Sequence, residues 1–129
     1  MIRTYLSILL TCMLCAASCE EEDQTTSYEQ DVEKLVLQLE EIRGFAQSLP
    51  CERAEHWSYA PYGAKPCGGP WGYIAYSNDI DTDQLFSMID AYDEANRGFN
   101  EKWGLGSDCA LEPVPAGVTC EGGKPVLLY

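Results

Sequence analysis

Long apolar runs, basic residues and histidine are what this chain has least of, and each shortage closes a class of function. The longest apolar stretch runs from Tyr5 to Ala17 and is broken only by Ser7, Thr11 and two cysteines. That is too short for a stable membrane-spanning helix, which needs roughly 20 apolar residues to cross about 30 Å of hydrocarbon. Lysine and arginine number 8 against 21 acidic residues, for a net charge of −13. Such a surface repels nucleic acid and anionic lipid headgroups, which removes nucleic acid from the expected partners. Histidine occurs once, as His56, and no two cysteines stand in C-x-x-C spacing. A structural zinc site therefore lacks its usual ligand pattern, and neither a metal nor a cofactor is expected. The chain has no internal repeat.

The start of the sequence carries an address. Met1-Ile2-Arg3 supplies one positive charge, the short apolar run follows, and Ala16-Ala17-Ser18 precedes Cys19. A charged start, a short apolar core and small residues before a cut are the parts of a secretory signal. The run Ala16-Ala17-Ser18-Cys19 resembles the lipobox of bacterial lipoproteins, with Ala16 where that family usually has Leu. Cys12 and Cys15 fit less well, because Thr11 and Leu14 would flank the cut. The resemblance implies a signal peptide over residues 1–18 and a lipid-bearing Cys19. Two or more acyl chains hold a protein stably on a membrane, and a lipoprotein cysteine normally carries three. Glu20-Glu21-Glu22-Asp23 comes next, within an acidic flexible tether over residues 19–27. A block of like charge is ordinarily a solvated segment. Its position also resembles the acidic export signal of Bacteroidota-type lipoproteins, which implies display on the outer face of the outer membrane, with periplasmic retention as the other outcome.

Of the 129 residues, 18 belong to the leader, which leaves 111, enough for one domain with a modest core. All 21 acids stay and Arg3 leaves, so seven basic residues face 21 acidic ones, a net charge of −14. That acidity favours cationic partners and solubility. Of the seven cysteines, two leave with the signal and Cys19 takes lipid. Cys51, Cys67, Cys109 and Cys120 remain, an even number that argues for two disulfides in an oxidising compartment. Three pairings are possible. The expected one is Cys51–Cys67 with Cys109–Cys120, since each closes a short loop rich in Pro and Gly.

Residues 28–129 read as a single small α+β domain. Val32, Leu35, Val36, Leu39, Ile42, Ala46 and Leu49 recur at helical spacing behind a cap at Ser27 or Thr26, and Pro50 ends the run. A second helix is expected from Asp81 or Thr82 to about Lys102, with Leu85, Ile89, Tyr92, Phe99 and Trp103 as its stripe, Phe86 and Met88 widening it, and Gly104 as its stop. Residues 51–70 read as loop, and Gly72 to Ser77 as a strand. Val118 to Cys120 and Pro125 to Leu128 flank Glu121-Gly122-Gly123-Lys124, a hairpin signal. The predicted architecture is two helices packed on a small antiparallel sheet of about three strands, stapled by disulfides.

Three groups could carry chemistry. Asp79, Asp81 and Asp83 alternate as in the first half of a calcium loop, with Asp90 at the twelfth place. Gln84 stands where that loop needs Gly, and Leu85 to Asp90 fits the helix, so a helix start with an acidic first turn is preferred. Trp57, Tyr59 and Tyr62 are the expected exposed binding rings within the aromatic segment 56–76, while Tyr73, Tyr76 and Trp71 are the better core or disulfide-covering rings. His56, with Glu55 beside it and Ser58 nearby, is the candidate for catalysis, though adjacency in sequence is not a triad.

Cys67-Gly68-Gly69-Pro70-Trp71-Gly72-Tyr73, Asn100, Ser107-Asp108-Cys109 and the stretch from Pro115 to Cys120 are similar to small lipoproteins of Bacteroidota. The likeness covers most of the mature chain and implies a folded domain without naming any chemistry. The function expected is a non-enzymatic, membrane-anchored binding module for an unidentified protein or envelope partner. An inhibitor or immunity-type protein and a cell-envelope enzyme are the alternatives. An exposed rigid loop at 57–66 would favour the inhibitor, and a cleft converging on His56 the enzyme.

Overall fold

The computed structural model describes residues 27–129. The expected signal peptide, Cys19 and the expected tether through residue 26 lie outside the described residues. Among those described, no helix is long and apolar enough to cross a membrane.

Helix α1 spans Tyr28–Ala46. Ser27 caps it by accepting from the Gln30 N–H at 3.2 Å, and the Gln30 side chain accepts from the Ser27 N–H at 3.0 Å. Two donors that the helix start would leave unpaired are thereby satisfied. The helix stops at Ala46, earlier than the periodicity reaching Leu49 implied, and Leu49 is exposed. A short 3₁₀ turn, Ala54–His56, leads into β1, Trp57–Tyr62. Strand β2, Gly72–Ser77, pairs antiparallel with β1, Ala60 opposite Ile74. Helix α2 runs Thr82–Trp103, capped by Asp81 and closed by Gly104 at φ 59. Strands β3, Gly117–Glu121, and β4, Lys124–Leu128, form the expected hairpin.

The architecture of two helices with small antiparallel sheets holds, and the strands divide into two ladders of two. Alternation along β1 and β2 explains the division. Ala60 and Ile74 point to one face, where they join Ile42, Ala46, Leu85, Ile89 and Tyr92 from the helices. Trp57 and Ala75 point to the other, where they meet Cys51, Val118, Cys120 and Leu127. Side chains alternate across a strand, so a ladder with apolar groups on both faces needs two covers. The helices supply one, and the β3–β4 hairpin stacks on the other instead of extending the sheet.

Strand β1 is the element that composition concealed. Pro61 and Gly63 read as turn residues, yet Pro61 sits opposite Tyr73 in a ladder of only two strands. An edge strand tolerates proline because the missing N–H need not serve a neighbour.

The disulfides correct the expected pairing: Cys51 joins Cys120 and Cys67 joins Cys109, each with Cα atoms 5.3 Å apart. The physical reason is β1. An extended strand between Cys51 and Cys67 carries them to opposite ends of the β1–β2 ladder. Cys51 stays at the base, its N–H donating to the Gly123 carbonyl at 2.9 Å. Cys67 lies in the connection at the far end, against the segment holding Cys109. Two disulfides mark an oxidising, extracytoplasmic compartment.

Candidate functional site

The connection between β1 and β2, residues 63–71, is tied down by side chains from three directions. Helix α2 supplies the first set. Asp93 Oδ1 accepts from the Gly63 N–H at 2.6 Å. One turn on, Asn96 Oδ1 accepts from the Ala64 N–H at 2.8 Å. One turn further, Asn100 Nδ2 donates to the Ala64 carbonyl at 2.7 Å. Asn96 and Asn100 are both buried and continue the stripe begun by Leu85, Ile89 and Tyr92. Buried amides without partners would cost a few kcal/mol each, and here the loop backbone is the partner. The i, i+4 spacing of two asparagines on an apolar helix face is the sequence signal for this role.

Lys65 is the second tie. Its side chain is only 3% exposed. Nζ donates to the Ala110 carbonyl at 2.8 Å and to Glu112 Oε1 at 2.7 Å, with Asp108 at 3.9 Å. The same ammonium lies 5.4 Å from the centre of the Trp71 ring, within cation–π range. A buried charge persists only when paired and hydrogen-bonded, and Lys65 meets both conditions by spanning two loops. The third tie is Cys67–Cys109. Cys109 has φ 56, the single non-glycine residue with positive φ among those described. An L-residue there costs about 1–2 kcal/mol, borne by a segment fixed at the sulfur and by the Ala110 N–H donating to Asp108 Oδ1 at 3.1 Å.

Gly63 is also specified by this geometry. It has φ 80, and a Cβ there would fall 2.6 Å from Trp71 Cδ1. Trp71 is thus pressed against the Gly63 backbone while still 40% exposed. Across the disulfide, Leu111 is 89% exposed and Val114 62%.

Burial, above all, raises the Asp93 carboxyl above the usual aspartate range. The Gly63 N–H and Arg97 oppose the shift, and Asp90 adds to it. Burial likewise raises the Tyr92 hydroxyl, helped by Tyr62 and Asp93 and opposed by Arg43.

The expected binding rings are redistributed. Trp57, expected to be exposed, is 7% exposed and packs with Cys51 and Ala75. Its place at the start of β1 turns it onto the hairpin. Tyr59 and Tyr62 are half-buried. Tyr59 packs edge-on to Tyr73 at 5.8 Å, and Tyr62 packs near Tyr92 at 6.3 Å beneath the Arg43 guanidinium. Within residues 56–76 the exposed ring is Trp71, expected instead to cover the disulfide.

A second place is a polar cleft of about 220 Å³ lined by Leu49, Pro50, Glu52, Arg53, His56, Trp57, Ser77 and Asp79. His56 Nδ1 lies 2.8 Å from Asp79 Oδ2. The backbone brings them together, since the Asn78 N–H donates to the His56 carbonyl at 2.7 Å. The carboxylate at His56 is therefore Asp79 and not its neighbour Glu55, while Ser58 is absent from the lining. A carboxylate on one ring nitrogen fixes the orientation of the imidazole, an arrangement found in general bases, and both partners line the cleft. Ser77 Oγ, almost fully buried, accepts from the Asp79 N–H at 3.2 Å.

The alternating aspartates go separate ways. Asp79 pairs with His56, Asp81 caps α2 by accepting from the Gln84 N–H at 3.0 Å, and Asp83 sits in the first helical turn. Among the described residues no group of three or more His, Cys, Asp or Glu side chains has metal-holding geometry. An apolar groove of about 340 Å³ also runs between α1 and α2, with Leu35, Ala95, Gly98 and Phe99 in its wall. No family model, curated protein or solved structure matches the chain.

Proposed function

We propose that this protein is an exported lipoprotein, anchored through Cys19, whose domain is a non-enzymatic binding module presenting the tied loops 63–71 and 105–114 to a partner. The observation that supports the reading most is the Lys65 bridge: a buried ammonium ties two surface loops to each other, beside an exposed Trp71 and Leu111. A loop already held in one conformation by such ties loses less entropy on binding. An inhibitor of an envelope enzyme is one form this module would take, since a rigid loop is what plugs a cleft.

The anchor is tested by Cys19→Ala, which should release the protein from the membrane fraction or block its maturation. Unchanged membrane association and mass would refute it. Binding is tested by affinity capture from envelope extract with the lipid-free domain, using Leu111→Asp and His56→Ala in parallel. Leu111→Asp should lose the captured protein and His56→Ala should keep it. The reverse pattern would move the function to the His56–Asp79 cleft, which supports an envelope hydrolase as the second reading.

A further inference from the structure

The end of the molecule that carries Trp71 and Leu111 shows what kind of partner it fits. The segments that carry the two residues are fixed to each other: Lys65 Nζ lies 5.4 Å from the centre of the Trp71 ring and donates to the carbonyl of Ala110, the residue before Leu111, and Cys67–Cys109 joins the same segments. Exposed tryptophan and leucine beside glycine and proline supply apolar contact area at low conformational cost. The charge around them is negative. Asp108 and Glu112 flank Leu111, and the single buried Lys65 neutralises only part of their charge.

Three occupants compete for such a surface. A membrane whose headgroups are anionic would be repelled by the two carboxylates and by a mature net charge of −14. A second copy of this chain would bring the same negative charge to the contact. A folded protein with an apolar pocket rimmed by lysine or arginine matches both features, placing Trp71 and Leu111 in the pocket and Asp108 and Glu112 against the rim. From this complementarity we infer that the Trp71–Leu111 surface docks into a basic-rimmed apolar pocket of a protein partner. The inference rests on the binding-module reading and adds the surface and the partner's chemistry.

Site-specific photo-cross-linking in the full-length chain, in its own cells, tests it. A photo-reactive phenylalanine replaces Leu111 in one chain and Glu41, an exposed residue of α1, in another. Position 111 should give one discrete protein adduct and position 41 none. The cross-linked peptide of the partner should border a lysine- or arginine-lined pocket. In isolated envelopes the yield should fall roughly fivefold between 0.05 and 0.5 M salt, as screening shortens the reach of the rim charges. Adducts to lipid, adducts at twice the mass of this chain, or a protein adduct on an acidic or salt-insensitive surface would each overturn the inference. A discrete adduct from position 41 with none from 111 would overturn the surface and leave the binding reading standing. No adduct from either position would overturn both.

Discussion

The two disulfides close chains of similar length for different purposes. Cys51–Cys120 spans 69 residues and Cys67–Cys109 spans 42. In the chain-entropy account both loops restrain the unfolded state by about 4 kcal/mol, differing by only about half of one. What separates them is the folded side. Cys51 is buried with Trp57 and Ala75 under the β3–β4 hairpin, so that bridge is part of the core. Cys67 and Cys109 are exposed, and their bridge joins loops already held by Lys65, Asn96 and Asn100. One bond is packed within the core, and the other joins two surface loops.

The largest effect should come from breaking that contrast at its core end. Cys51→Ala with Cys120→Ala should lower the unfolding free energy by about 4–5 kcal/mol, since a cavity adds to the lost restraint. Chemical denaturation followed by tryptophan fluorescence would report it through Trp57. Cys67→Ser with Cys109→Ser should cost about 2–4 kcal/mol and leave the core signals intact, with hydrogen-exchange protection lost mainly at 63–71 and 107–112. Equal loss of core protection in both double variants would erase the distinction.

Lys65 sharpens the comparison at intermediate size. Lys65→Ala leaves Glu112 and the Ala110 carbonyl without their donor and should cost about 2 kcal/mol. This is below the figure for a fully buried pair because Glu112 keeps some contact with solvent. Its signature is location: amide exchange should quicken in both tied loops while α1 is unaffected. An effect spread evenly over the domain would show that Lys65 supports the core instead.

The smallest effect concerns Asp93, whose folded pKa is raised chiefly by burial. Between its unfolded and folded pKa values the native state holds the proton that the unfolded state has released, so stability falls as pH rises through that window. Asp93→Asn keeps an oxygen to accept the Gly63 N–H and removes the charge. The variant should therefore show a flatter thermal midpoint from acid to neutral pH than the parent. A parallel pH profile for the two proteins would place the pH dependence elsewhere.

Much of the frame was determined by the sequence alone, because the signals that specify it are local. Ser27 with Gln30, the stripe from Leu85 to Tyr92, Asp81 and Gly104 each act within a few residues, so α1, α2 and the β3–β4 hairpin were legible as patterns. Cys51, Cys67, Cys109 and Cys120 likewise implied two bridges. Which cysteine met which was decided by tertiary structure, since β1 separates Cys51 from Cys67 and no local rule contains that distance. Trp57 and Trp71 exchanged their expected roles for the same reason: the face a ring presents depends on ladder register and on what stacks above it. The ties on 63–71 were the least legible part. Asp93, Asn96, Asn100 and Lys65 act on partners 30 to 47 residues away, and a hydrogen bond's partner is fixed by the path of the folded chain and not by the residue that makes it.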